Sequence, residues 1–175
     1  MKKRLKRFLL LLSIGMVVVV SGLYLLGLTF QQEIQRDITI HAPAERVWQI
    51  LIDFARYPDW NPYIRRASGE LKSGAQLSVR LQPSGTAPTD LQTTIATLES
   101  QRKFCWLGYI LIPGLLDAQH CFTITPLGTN TVRLTQSEAF SGLLIPFLTD
   151  SLEKETPRGF TDMNQAVKRL AEQTR

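Results

Sequence analysis

Very little in this chain is equipped for catalysis. Its 175 residues include only two histidines, His41 and His120, and two cysteines, Cys105 and Cys121. No H-E-x-x-H, G-x-S-x-G, phosphate-binding loop or glycine-rich dinucleotide motif occurs. The zinc-peptidase, serine-hydrolase, NTPase and dinucleotide-dependent oxidoreductase classes therefore have no foothold. Two cysteines 16 apart with one histidine between them fall short of a zinc set, which takes about four close ligands in structural sites and about three in catalytic ones. Neither a metal nor a cofactor is expected.

Net charge is missing too once the first seven residues are set aside. The formal charge of +5 comes wholly from Lys2, Lys3, Arg4, Lys6 and Arg7, because the other 15 basic residues balance 15 acidic ones. A phosphate-binding surface puts its positive charge on the folded domain. No nucleic-acid partner is expected, despite a pI of 9.5.

What the front end does have is a basic flank, residues 1–7, running into an uncharged stretch from Phe8 to Leu28. Those 21 residues suffice to cross a bilayer core as a helix, which takes roughly 20. A cleaved signal peptide shares the basic flank, but its apolar core is normally about 7–15 residues long and ends in small residues. Here the stretch leads into Leu25-Leu26-Gly27-Leu28-Thr29-Phe30 with no A-x-A-like step, which favours an uncleaved signal anchor over cleavage. Positive flanks stay on the cytoplasmic side. The expected arrangement is a single-pass membrane protein, residues 8–28 spanning, N-terminus cytoplasmic and the rest extracytoplasmic, with 29–36 as a polar linker and 37–175 as one domain.

Within the domain, Asp37-Ile38-Thr39-Ile40-His41 alternates as a half-buried strand does. Ala42-Pro43-Ala44-Glu45 starts a helix whose Val47, Trp48, Leu51 and Ile52 form one apolar stripe. Tyr57-Pro58-Asp59-Trp60-Asn61-Pro62 ends it, with a single turn between the two prolines. Six short alternating runs follow, near 64–72, 75–82, 90–99, 103–110, 118–125 and 131–140, broken by turn residues. Strands joined this way form an antiparallel meander. After Gly142 the helical period returns, with Phe160, Met163, Val167 and Leu170 on one face. Phe147, Leu148 and Leu152 also need burial, which favours one long helix from about Pro146 running through Pro157.

The residues Ile38-x-Ile40-x-Ala42-Pro43, Val47-Trp48, Leu51-x-Asp53 and Tyr57-Pro58-x-Trp60-Asn61-Pro62 resemble the opening of the START-like (SRPBCC, polyketide cyclase/dehydrase-like) superfamily. Leu107-Gly108, Pro113-Gly114, His120-x-Phe122, Ser137-Glu138-x-Phe140-x-Gly142 and Gly159-Phe160-x-x-Met163-Asn164 continue the likeness. The resemblance implies an α+β helix-grip fold: a seven-stranded antiparallel sheet curled around a long C-terminal helix, with two short helices after the first strand. It also implies a deep ligand cavity between sheet and helix.

Strand parity says which side chains face that interior. Leu77, Val79 and Leu81 share one face, as do Phe104 with Trp106, Phe122 with Ile124, and Val132 with Leu134; His120, Gln136 and Glu138 continue the same phases. The candidate ligand-binding residues are Trp60, Val79, Leu81, Ile95, Trp106, His120, Phe122, Leu134, Gln136, Glu138, Phe160 and Met163. Trp48 and Trp60 also read as packing, given the area an indole buries. His120 and Glu138 are weak catalytic candidates, since a titratable pair without a third partner equally serves to satisfy buried polar atoms. The function read from these residues is binding of a hydrophobic small molecule or lipid, more binder than enzyme. The rivals are a cyclase or dehydratase acting on a polyketide- or terpenoid-like ligand, and an interaction or assembly module. Cys105 and Cys121 lie eight residues either side of Pro113, so antiparallel pairing sets them opposite each other on the outer face. A bridge is open to them outside the cytoplasm, although demanding geometry favours two separately buried thiols.

Overall fold

In the computed structural model, residues 2–83 and 85–173 are described. Helix α1 (Lys2–Gly27) exposes its apolar side chains all round, and over Arg4–Gly27 it is long and apolar enough to cross a bilayer. Then come β1 (Gln31–Ile40), α2 (Ala44–Ile52), α3 (Tyr57–Trp60), β2 (Ile64–Gly69), β3 (Gln76–Leu81), β4 (Thr89–Glu99), β5 (Lys103–Tyr109), β6 (Asp117–Gly128), β7 (Thr131–Ser141) and α4 (Ile145–Glu172). The strands form one seven-stranded sheet in the order β1-β7-β6-β5-β4-β3-β2, every neighbouring pair antiparallel. With the long α4 against it, this is the helix-grip fold that the sequence implies.

One boundary differs. The expected linker 29–36 is mostly strand, because β1 begins at Gln31 and pairs residue for residue with Ser141 back to Gln136 of β7. Its polar side chains hide the alternation, yet the backbone ladder tolerates them at the edge of a sheet. Ile34 is the buried residue of that segment, and Gln32 Nε2 donates to Glu153 Oε1 of α4 at 3.1 Å. Edge polarity of this kind also discourages pairing with foreign strands.

Pro43 caps α2 in extended backbone, and Val47, Trp48 and Leu51 turn inward. A turn of 3-10 helix, Phe54–Arg56, leads straight into α3. Tyr57 ties the two together, its hydroxyl donating to the Leu51 carbonyl at 2.6 Å. Asn61 then starts β2, its Oδ1 accepting from the amides of Tyr63 and Ile64 at 3.0 and 2.9 Å. Trp48 meets Phe104 edge to face at 5.7 Å, and Phe104 stacks on Phe122 at 4.7 Å. Each such buried side chain contributes about 1.5–3 kcal/mol. Helix α4 continues unbroken through Pro157.

Cys105 and Cys121 are joined by a disulfide, not left as separate thiols. They are directly opposed partners of β5 and β6 with Cα atoms 4.1 Å apart. Register alone brings the two sulfurs together, so the pair is bridged where the sequence favours separate thiols.

Candidate functional site

The sheet is a set of cross-strand rows, and side-chain volume drops sharply at one of them. One row, Leu98-Phe104-Phe122-Gln136, is filled with aromatics and aliphatics. The next runs Ile95-Trp106-His120-Glu138-Ile34. The one after it is Thr93-Gly108-Ala118-Phe140, where three of the four side chains are small or absent. Space is left there: a cavity of about 290 Å³ between the sheet and the first half of α4. Gly108 keeps the row low, since a Cβ there would come within 3.0 Å of Thr93 Cγ2 and fit only if that side chain shifted.

Val79, Leu81, Leu91, Trp106, Ile110, Leu116 and Phe140 supply apolar wall, Leu148 and Leu152 of α4 close it, and the hydrogen-bonding lining includes Tyr63, Thr93, His120, Glu138, Glu155 and Thr156. Tyr63 reaches the wall because α4 carries Gly159 against its ring, where any side chain would collide. The Thr93 hydroxyl is buried without a hydrogen-bond partner among the described residues.

Five of the residues expected from parity stand on this wall: Val79, Leu81, Trp106, His120 and Glu138. Ile95, Phe122, Leu134, Gln136, Phe160 and Met163 do not. They are packed in the solid core behind it, because parity fixes the face of a strand but not the depth along it. Trp60 lies elsewhere, in a wider polar depression of about 660 Å³ that also includes Arg46, Asp53 and Arg56. That depression is larger but lined mostly by charged and polar side chains, so the smaller apolar cavity is the better candidate. Sequence reasoning missed Tyr63, Thr93, Gly108, Ala118, Leu148, Leu152 and Thr156. The available signal was the run of small residues at inward positions of β5 and β6.

Behind the wall runs a buried polar chain. His120 Nε2 and Gln136 Oε1 are hydrogen-bonded at 3.1 Å, Gln136 Nε2 donates to Asn164 Oδ1 at 2.8 Å, and Asn164 Nδ2 donates to the Arg36 carbonyl at 3.3 Å. The His120 ring stacks on Phe122 at 4.5 Å and meets Phe160 at 4.8 Å. Burial holds the imidazole down, to about 3, against the opposing effect of the Gln136 bond. Burial alone pushes Glu138 up to about 8. Burial, reinforced by the charge of Glu138, also raises the Tyr63 hydroxyl. At neutral pH the cavity thus presents a neutral imidazole and a protonated carboxyl. Among the described residues no cluster of three or more His, Cys, Asp or Glu could hold a metal ion.

A family model described as polyketide cyclase/dehydrase and lipid transport matches residues 31–173. No curated protein matches the chain. Among solved structures, the Zhui aromatase/cyclase from Streptomyces sp. is similar at 17% identity and a TM-score of 0.68, covering 82% of this chain and 94% of that one. Norcoclaurine synthase from Thalictrum flavum, in complex with dopamine and hydroxybenzaldehyde, is similar at 12% identity and a TM-score of 0.64, covering 83% and 90%. A START superfamily protein from Mycobacterium smegmatis is similar at 20% identity and a TM-score of 0.61, covering 80% and 97%. At these identities the likeness is one of fold.

Proposed function

Because the chain belongs to the polyketide cyclase/dehydrase and lipid transport family, we propose that its domain binds a hydrophobic small molecule or lipid in the cavity beneath α4, while α1 tethers it to a membrane. The observation that carries this reading is the Thr93-Gly108-Ala118 row, which leaves apolar-walled space in an otherwise close-packed interior. An apolar wall favours apolar solutes by about 25 cal/mol per Å² removed from water.

The tether and the cavity lie at the same end of the domain. The β3–β4 loop, the β5–β6 turn and the end of β7 all fall at the end of the sheet where β1 leaves α1. Gly114, in the left-handed region at φ 88°, packs on the Tyr24 ring, where a Cβ would come within 2.7 Å. Tyr24 lies four residues before Leu28, the end of the apolar stretch, or about 6 Å deeper at 1.5 Å per residue. Beside that contact Leu111 and Phe147 are 80% and 82% exposed. An apolar rim at this depth is suited to the boundary between headgroups and acyl chains. The basic flank favours a cytoplasmic N-terminus, with the domain on the other side of the membrane.

Catalysis of the cyclase or dehydratase type is the second reading, favoured by one observation: His120 and Glu138 are opposed within the cavity. Glu138, protonated at neutral pH, is available as a general acid, but an imidazole at about 3 is a weak base. Solvent extraction of the detergent-purified full chain tests the binding reading. A lipophilic compound approaching one per chain, and depleted in Ala118→Leu, is expected; equal traces in both proteins contradict it.

A further inference from the structure

The buried polar chain fixes the hydrogen-bonding character of the cavity's inner end. Its last partner, the Arg36 carbonyl, can only accept, so Asn164 must present its amide nitrogen there and its oxygen to Gln136. That oxygen can only accept, so Gln136 donates through Nε2 and turns Oε1 to His120. Oε1 also can only accept, which puts the ring proton of His120 on Nε2. The imidazole is neutral, so Nδ1 is left as a bare acceptor on a residue of the cavity wall.

Directly opposite, in register across β6 and β7, stands Glu138. The groups around it are His120 from β6, Ile34 from β1, Tyr63 at the start of β2, and Glu155 with Thr156 from α4. No lysine or arginine lines the cavity among the described residues. With nothing to neutralise it there, the carboxyl keeps its proton and can donate.

An acceptor and a donor on two opposed residues of the cavity wall match a group that both donates and accepts. Building on the ligand-binding reading above, we infer that the cavity seats a neutral lipophilic alcohol, its hydroxyl donating to His120 Nδ1 and accepting from the Glu138 carboxyl. An ether or ketone satisfies Glu138 but strands Nδ1. A fatty-acid carboxylate accepts from Glu138 but strands Nδ1 and brings a negative charge near Glu155 with no cation in the lining to meet it. An alkylammonium ion satisfies both groups only by burying a charge pair in an apolar wall, at a desolvation cost an alcohol avoids.

Native mass spectrometry of the detergent-purified full chain, titrated with decanol, decyl methyl ether, decanoate and decylamine, tests this directly. One unpaired buried acceptor is worth about tenfold in affinity, so decanol should bind about tenfold more tightly than the ether and at least that much more tightly than the other two. In His120→Phe, which keeps the ring stack, decanol should lose its advantage over the ether while ether binding is unchanged. Glu138→Leu should weaken both and serves if the first variant does not fold. Equal binding of all four, or tighter binding of decanoate or decylamine, overturns the alcohol assignment and leaves the ligand-binding reading standing. Failure of every probe to bind overturns both.

Discussion

His120 and Glu138 face each other across β6 and β7, and burial displaces their ionisation in opposite directions, to about 3 and about 8 from ordinary values of 6.5 and 4.5. Each displacement disfavours the charged form. Burial of both side chains is the common cause.

The pair dictates a flat-topped stability profile. Between pH 3 and 6.5 the unfolded chain takes up a proton on His120 that the folded chain refuses, so stability falls as pH drops. Between pH 4.5 and 8 the folded chain keeps a proton on Glu138 that the unfolded chain has lost, so stability falls as pH rises. Each slope approaches about 1.4 kcal/mol per pH unit. They cancel between 4.5 and 6.5, leaving an acid arm below and an alkaline arm from 6.5 to 8. Urea unfolding of Glu138→Gln should show stability rising to 6.5 and level above it. An alkaline arm that survives this substitution would mean that Glu138 is not its source.

Ala118→Leu and Met163→Trp should part company in a thermal melt. Ala118 borders the cavity, so the added carbons enter open space and the melting temperature should change little. Met163 is fully buried in the core, where overpacking costs about 1–3 kcal/mol. Equal destabilisation of the two would mean that the Ala118 row encloses no usable space.

The Cys105–Cys121 bond should appear as a linked peptide pair in unreduced digests. A bridge that closes a loop of about 15 residues contributes about 3 kcal/mol, so reduction should lower the unfolding midpoint by a corresponding amount. Two freely alkylated thiols in unreduced protein would contradict the pairing.

If the rim around Leu111 meets the bilayer, a polarity-sensitive fluorophore on Leu111→Cys in the vesicle-reconstituted full chain should report an apolar setting. The same label on Asn130→Cys, in the β6–β7 turn at the far end of the sheet, should report water. A reporter fused after Arg175 should be active only outside the cytoplasm. Identical spectra at both labels would rule out the rim contact even where the span itself is inserted.

Much of this fold could be read from the sequence because most of its strand residues between Leu77 and Leu134 keep period two, interrupted by register shifts near Ala96 and Leu127, and most of its turns carry glycine, proline or asparagine. The inward side of His120, Gln136 and Glu138 followed from the neighbouring apolar residues. Two things were hidden. Gln31–Arg36 forms strand with polar side chains, since the edge position and the contact of Gln32 with α4 replace the apolar alternation. Parity groups Phe122 and Met163 with the residues that border the cavity, because it does not say where opposing volumes leave a gap. That gap depends on the register that aligns Thr93, Gly108 and Ala118, and register is a property of the assembled sheet.

The central claim is that a hydrophobic molecule occupies the cavity beneath α4. Native mass spectrometry of the full chain, released from detergent without added ligand, tests it most directly. The expected spectrum contains a mass above that of the 19.8 kDa chain, one small molecule per protein, lost on mild activation and reduced in Ala118→Leu. A spectrum with the bare chain alone, unchanged after incubation with a membrane lipid extract, would contradict the claim.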